Sequence, residues 1–126
     1  MFSHLVVGSN DLDRSRKFYD ATFAAMGAAA GTTDAKGRLV YTKDGCRFLV
    51  TKPIDGKSAT HANGGTIGLR MDGPETVKAW HAAGVANGGT SIENPPGIRE
   101  FPGAKLYLAY LRDPDGNKLC GRADAS

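Results

Sequence analysis

No apolar run in this chain approaches the roughly 20 residues that a helix needs to cross a bilayer. The first residues, Met1-Phe2-Ser3-His4-Leu5, lack a basic segment followed by a long apolar core, so no secretory signal is expected and the chain reads as cytoplasmic. Cysteine is scarce. Cys46 and Cys120 are the only two, and they occupy different relative positions in two similar hairpins, which favours free thiols over a disulfide. Dense basic clusters are missing as well. The 16 Lys and Arg against 13 Asp and Glu leave a net charge of +3, but the cations are scattered and no aromatic side chains interleave them. Neither a nucleic-acid nor a membrane partner is expected. A phosphate loop is absent too: Gly64-Gly65 precedes a strand, whereas such a loop leads into a helix. What remains is ordinary for a soluble protein, 40% apolar and 23% charged residues. A length of 126 residues suits one domain with a modest core that needs no metal or disulfide to fold.

What is present is an internal echo. Asp44-Gly45-Cys46-Arg47-Phe48-Leu49 and Asp115-Gly116-Asn117-Lys118-Leu119-Cys120 are each a tight-turn signal followed by strand-forming residues. Each is entered from an apolar, tyrosine-containing run, Leu39-Val40-Tyr41 or Leu106-Tyr107-Leu108-Ala109-Tyr110. The leading elements repeat as well. His4-Leu5-Val6-Val7 passes through a turn into a helix bearing Phe18-Tyr19, and Thr66-Ile67-Gly68-Leu69 does the same into Trp80-His81. His4 to Phe18 and Thr66 to Trp80 have the same spacing. Order, spacing and length together indicate a duplicated unit.

Local patterns place the elements. Strands are expected at 2–8, 38–43, 46–53, 65–71, 105–112 and 117–122. A helix capped by Asn10-Asp11 begins near Leu12, with Leu12, Tyr19, Phe23 and Met26 on one face, and ends at Gly27. A second helix covers about 74–86, with Pro74 in its first turn. The stretches 28–33 and 88–97 read as loops with weak strand character, and 55–65 as a linker. A four-residue turn over Asp113–Gly116 would pair Tyr110 with Leu119 and Ala109 with Cys120. Alternation then gathers His4, Val6, Val40, Leu49, Thr66, Tyr107, Ala109 and Cys120 on faces lining a concavity. Leu5, Val7, Tyr41, Phe48, Val50, Ile67, Leu69, Met71, Leu108, Tyr110 and Leu119 fall on faces under the helices.

The order of these elements, the early histidine and the hairpin Arg112-Asp113-Pro114-Asp115-Gly116-Asn117-Lys118 make the chain resemble the vicinal oxygen chelate superfamily. That group contains glyoxalase I, bleomycin-resistance proteins, fosfomycin-modifying enzymes and extradiol dioxygenases. Ser9-Asn10-Asp11-Leu12 and Phe18-Tyr19 add to the resemblance, which spans essentially the whole chain. It implies an α+β fold of tandem βαβββ modules, at about 1–55 and 62–124, forming a curved eight-stranded mixed sheet around a cavity. Association as a homodimer is implied as well.

Metal-dependent members place ligands at positions that the echo maps to His4, Leu49, Thr66 and Cys120. Leu49 has no donor atom, a threonine hydroxyl binds such ions weakly, and Cys120 stands where a glutamate would be expected. A catalytic site needs about three good protein ligands and an open position. No bound metal and no other cofactor is therefore expected. His4 stays open between a hydrogen-bonded cavity wall, a ligand contact, an acid–base group and a metal ligand. Arg47 and Arg70 could orient an anionic ligand or simply carry surface charge. Cys120 reads more readily as a small buried hydrophobe than as a nucleophile. His61 and His81 read as surface or packing residues.

The functional expectation is a small, partly apolar molecule bound by His4, Val40, Leu49, Thr66, Tyr107 and Cys120. The alternatives are a metal-dependent enzyme, lactoylglutathione-lyase-like or dioxygenase-like, and a metal-independent enzyme using His4 as acid or base.

Overall fold

The computed structural model describes residues 1–125. The first unit runs β1 (His4–Gly8), α1 (Leu12–Ala25), β2 (Thr32–Thr33), β3 (Leu39–Lys43) and β4 (Cys46–Thr51). The second runs β5 (Ile67–Arg70), α2 (Pro74–Ala86), β6 (Thr90–Phe101), β7 (Ala104–Arg112) and β8 (Lys118–Asp124). Each is a βαβββ module, as expected. The eight strands are divided between two four-stranded sheets of equivalent order, β1-β4-β3-β2 and β5-β8-β7-β6. Each module's first strand is an edge strand that runs parallel to its last, while the hairpin partners are antiparallel.

The duplication is visible in the register. Val6 lies opposite Leu49 and Gly68 opposite Cys120. These pairs stand two residues beyond His4 and Thr66, so the echo in sequence corresponds to equivalent places in the two sheets.

Helix α1 starts where the Asp11 side chain accepts the backbone N–H of Arg14 at 3.1 Å, satisfying one of the donors that the first turn leaves free. Ser15, Phe18, Tyr19, Thr22 and Phe23 are its buried face, the 3.6-residue periodicity of an amphipathic helix. It ends at Gly27, whose φ of +85° suits glycine. Helix α2 opens on Pro74 behind Gly73, with no side-chain cap. Its Trp80 packs so closely over Gly121 that a Cβ there would meet the indole at 2.9 Å.

In the first sheet Leu39, Tyr41, Phe48 and Val50 are buried under α1, and Tyr19, Phe23, Tyr41 and Phe48 form a cluster of aromatic rings. In the second, Ala109, Leu111, Leu119 and Ala123 pack with Val77 and Trp80. The two helices also touch each other: a Cβ at Gly84 would lie 3.3 Å from the Phe18 ring. One apolar core therefore joins the helix-facing sides of both sheets.

Two expectations need correcting. Asp113 donates its backbone N–H to the carbonyl of Asn117 at 2.9 Å, so the terminal loop holds five residues between the paired Arg112 and Lys118. Tyr110 then pairs with Cys120, and Ala109 with Gly121. A one-residue slip turns every side chain to the other face, which moves Tyr107 and Ala109 to the helix side and Leu108 and Tyr110 from it to the uncovered side. The stretch 88–97, read as a loop, contributes to the 12-residue strand β6. Its register shifts between Ile92 and Gly97, where Pro95-Pro96 sit. Prolines are tolerated there because this is an edge strand with a bulge.

Candidate ligand-binding site

Strand alternation leaves each sheet with one face that no helix covers. On the first, Val6, Leu49 and Val40 stand in a row across β1, β4 and β3, with His4 and Arg47 paired beside them. On the second, Gly68, Cys120 and Tyr110 form the corresponding row, flanked by Leu108 and Arg122. Leu49, Leu108 and Cys120 are only 2%, 6% and 8% exposed, yet none belongs to the helix-packed core. They form apolar floors on the uncovered faces, which is what a concave sheet surface offers a ligand.

Of the six expected binding residues, the fold therefore groups His4, Val40 and Leu49 on one face. Cys120 lies on the other, with the exposed Thr66 just before β5 on the same side. Tyr107 is excluded from that face; Lys78 of α2 lies over its ring at 5.8 Å.

The polar groups around these floors are mostly cationic. The exposed His4 has its Nδ1 2.7 Å from the Ser3 hydroxyl, and among the described residues no carboxylate bonds to its ring. Lys118 pairs with Glu93 and sits 5.1 Å over the Tyr110 ring. Burial pushes the Cys120 thiol up; the Tyr110 hydroxyl opposes this and the Glu93 carboxylate adds to it. The thiol is therefore protonated at neutral pH, the opposite of what a nucleophile or thiolate ligand needs.

The positions that the resemblance maps to metal ligands are His4, Leu49, Thr66 and Cys120. Their donor set is one imidazole, one hydroxyl, one protonated thiol and one alkyl group, which does not fit a divalent ion. Among the described residues, no group of three or more His, Cys, Asp or Glu side chains converges anywhere else.

A second feature was not foreseen from the sequence. A cleft of about 470 Å³ opens where the start of β1 and β4 meets the end of β5. Its walls come from distant parts of the chain, so no local pattern signals it. The signature segments also acquire a physical role. Asp115 accepts the backbone N–H of Asn10 at 2.9 Å, the Arg14 guanidinium at 2.7 Å and the Ser15 hydroxyl at 3.2 Å. Asp113 accepts the Tyr19 hydroxyl at 2.6 Å, and Asn117 donates to the carbonyl of Gly8 at 3.2 Å. The terminal hairpin of one module thus locks the strand–helix turn of the other.

The profile of the Glyoxalase/Bleomycin resistance protein/Dioxygenase superfamily matches residues 1–120. The chain belongs to this superfamily. It is 51% identical to a glyoxalase/bleomycin resistance protein from Albidiferax ferrireducens T118, with a TM-score of 0.93 and 98% of both chains covered. A glyoxalase/bleomycin resistance protein/dioxygenase family enzyme from Burkholderia phytofirmans PsJN shares the fold at 16% identity and TM-score 0.74, again with 98% of both chains covered. So does the lactoylglutathione lyase from Agrobacterium tumefaciens, at 19% identity and TM-score 0.67, covering 98% of this chain and 92% of that one. No curated relative matches the chain. Among the described residues no helix is long and apolar enough to cross a membrane.

Proposed function

We propose that this chain binds a small, partly apolar molecule on the uncovered faces of its sheets, without a metal, as a homodimer. The observation that carries this reading is the burial of Leu49, Leu108 and Cys120 on faces that no helix covers. Arg122 flanks the floor of the second face and is exposed, which favours a ligand with a polar or anionic end. The helix-facing sides of both sheets share one core, so the open faces turn away from it, and a second copy supplies an opposing wall. The edge strands β1 and β5 gain cover in the same step. A function in sequestering or presenting a ligand needs no acid–base pair, and among the described residues the His4 ring is hydrogen-bonded only to Ser3.

The test combines mass, metal and ligand. Sedimentation should give twice 13.2 kDa at micromolar concentration; a species of protomer mass alone removes the dimer. Elemental analysis after mild chelation should find no stoichiometric Ni, Zn, Mn or Fe. One retained equivalent that is lost in His4→Ala would replace this reading with a metal-dependent enzyme. Screening thermal stability against aromatic metabolites and aldehyde–thiol adducts should reveal a ligand that stabilises by about 2.7 kcal/mol at 100 times its Kd. Val6→Glu and Thr66→Arg, both at exposed positions of these faces, should abolish that shift while the apo protein melts as before. Survival of the shift in both variants would put the ligand elsewhere.

A further inference from the structure

The two ends of the seam between the modules are equivalent by duplication but differ in filling. At the far end the start of β8 meets the end of β1. Asn117 bridges to the carbonyl of Gly8, and the linker packs in: a Cβ at Gly8 would meet that of Ala59 at 2.9 Å, and one at Gly116 would meet His61 at 3.1 Å. Ala59 is held there by its N–H bond to Asn10 at 2.7 Å. At the near end the start of β4 meets the end of β5. By the sequence echo Cys46 takes the place of Asn117, and Arg70 that of Gly8. Gly45, the counterpart of Gly116, has nothing within 4 Å of its Cβ position. Asp44, the counterpart of the bound Asp115, leaves its side chain 82% exposed, where Asp115 leaves 1%. A short thiol cannot make the amide's bridge, and among the described residues this end is lined by Phe2 and Ser3 of the N-terminal segment rather than by the linker. The void that results is the cleft of about 470 Å³, within the roughly 300–1,000 Å³ of small-molecule sites.

Leu5, Phe23, Met26, Phe48 and Leu69 give it an apolar interior. Lys43, Arg47 and Arg70 stand around it against a single carboxylate, Asp44, which Lys43 approaches at 3.2 Å. Among the described residues, the Arg47 and Arg70 guanidinium groups make no hydrogen bond or ion pair. A smaller cleft that shares Met26, Lys43, Asp44 and Arg70 with it is lined by Asp72 as well. We infer that the near-end cleft, which meets the sheet faces at His4, Arg47, Gly68 and Arg70 but has its interior among Phe23, Met26 and Leu69, is a second binding site, for an amphipathic carboxylate. The apolar body lies against Phe23, Met26 and Leu69, and the head group is held by Arg47 and Arg70. Burial of the body supplies affinity in proportion to apolar area. The planar guanidinium groups select a carboxylate head over a neutral one.

Calorimetry on the intact protein with decanoate and with decanol tests this. Decanoate should bind saturably and at least about tenfold more tightly than decanol, a preference of the size that charge-assisted hydrogen bonds provide. The double variant Arg47→Met/Arg70→Met, altered only at exposed side chains, should erase that preference. Met26→Trp, which fills the interior, should weaken both ligands, and Lys57→Met in the linker should change neither. Thr66→Arg, at the opposite end of β5, should leave decanoate within about twofold of its original affinity. Equal binding of decanoate and decanol to the native protein would overturn the proposal. So would an unchanged preference in the arginine variant, or binding only by a dissociated protomer, which would show that a second copy fills the cleft. Loss of decanoate in Thr66→Arg would move the carboxylate to the sheet face and remove the second site. The sheet-face proposal can fail its own ligand screen without touching any of these outcomes.

Discussion

Removing the Asp113 carboxylate should cost more than removing any one of the bonds it makes, and the excess is predictable. Asp113 is 3% exposed and accepts four hydrogen bonds. Its Oδ1 takes the backbone N–H groups of Asp115 at 2.9 Å and Asn117 at 2.8 Å; its Oδ2 takes the Tyr19 hydroxyl at 2.6 Å and the Asn117 amide at 2.8 Å. Tyr19→Phe deletes one bond to a charged acceptor without opening a cavity and should cost about 2 kcal/mol. Asp113→Ala leaves the buried Tyr19 hydroxyl and two loop N–H groups without this acceptor and should cost about 3–5 kcal/mol. Once the carboxylate is gone, adding Tyr19→Phe removes an orphaned hydroxyl and should cost about nothing. The double variant should therefore be about 2 kcal/mol more stable than the sum of the single effects. The single tryptophan, Trp80, is 1% exposed, so its fluorescence in a urea titration reports the unfolding. Should Asp113→Ala fail to fold, Asp113→Asn provides the same cycle at lower cost. Additive effects within about 0.5 kcal/mol would refute the idea that this carboxylate and hydroxyl hold the modules together as a pair.

Alkaline stability should carry the signature of two tyrosines. Burial first and the Asp113 carboxylate second raise Tyr19 well above its ordinary value, and burial with the Asp20 bond raises Tyr41. Their stabilisation is complete below about pH 10, where the unfolded phenol titrates, and declines above it because only the unfolded state then loses protons. The urea midpoint should fall from about pH 10 upward, less steeply in Tyr41→Phe; equal slopes would count against it. Gly121→Ala should destabilise by about 1–3 kcal/mol, since the new methyl meets the Trp80 ring at 2.9–3.0 Å. In a thiol-reagent assay the exposed Cys46 should react promptly and the buried, raised Cys120 only slowly; comparable rates would show that the second sheet face is open to its floor.

The sequence by itself determined both helices and six of the eight strands, in their order; β2 and β6 showed only weak strand character. Gly27 ending α1, Pro74 opening α2 and the Asp44-Gly45 turn are local signals, and the chain obeys them because each acts through its own backbone. The first module's faces were also legible: a two-residue turn fixes register, and His4, Val6, Val40 and Leu49 fall as alternation requires. The second module's faces were not. The loop from Asp113 to Asn117 is held by side-chain bonds from Asp113 that no pattern of apolar residues reveals, and that single extra residue carried Tyr107 to the helix side. The bulge that lets Pro95-Pro96 sit within β6 escaped notice for a similar reason, because an edge strand tolerates what an inner strand cannot. Only tertiary structure could decide how the modules meet. Asp115 reaches Asn10, Arg14 and Ser15 from about a hundred residues away, and its counterpart Asp44 reaches nothing comparable. The duplication is a property of the sequence, but which end of the seam is filled depends on where the linker packs. That choice, made by contacts distant in the chain, leaves the cleft beside Arg47 and Arg70.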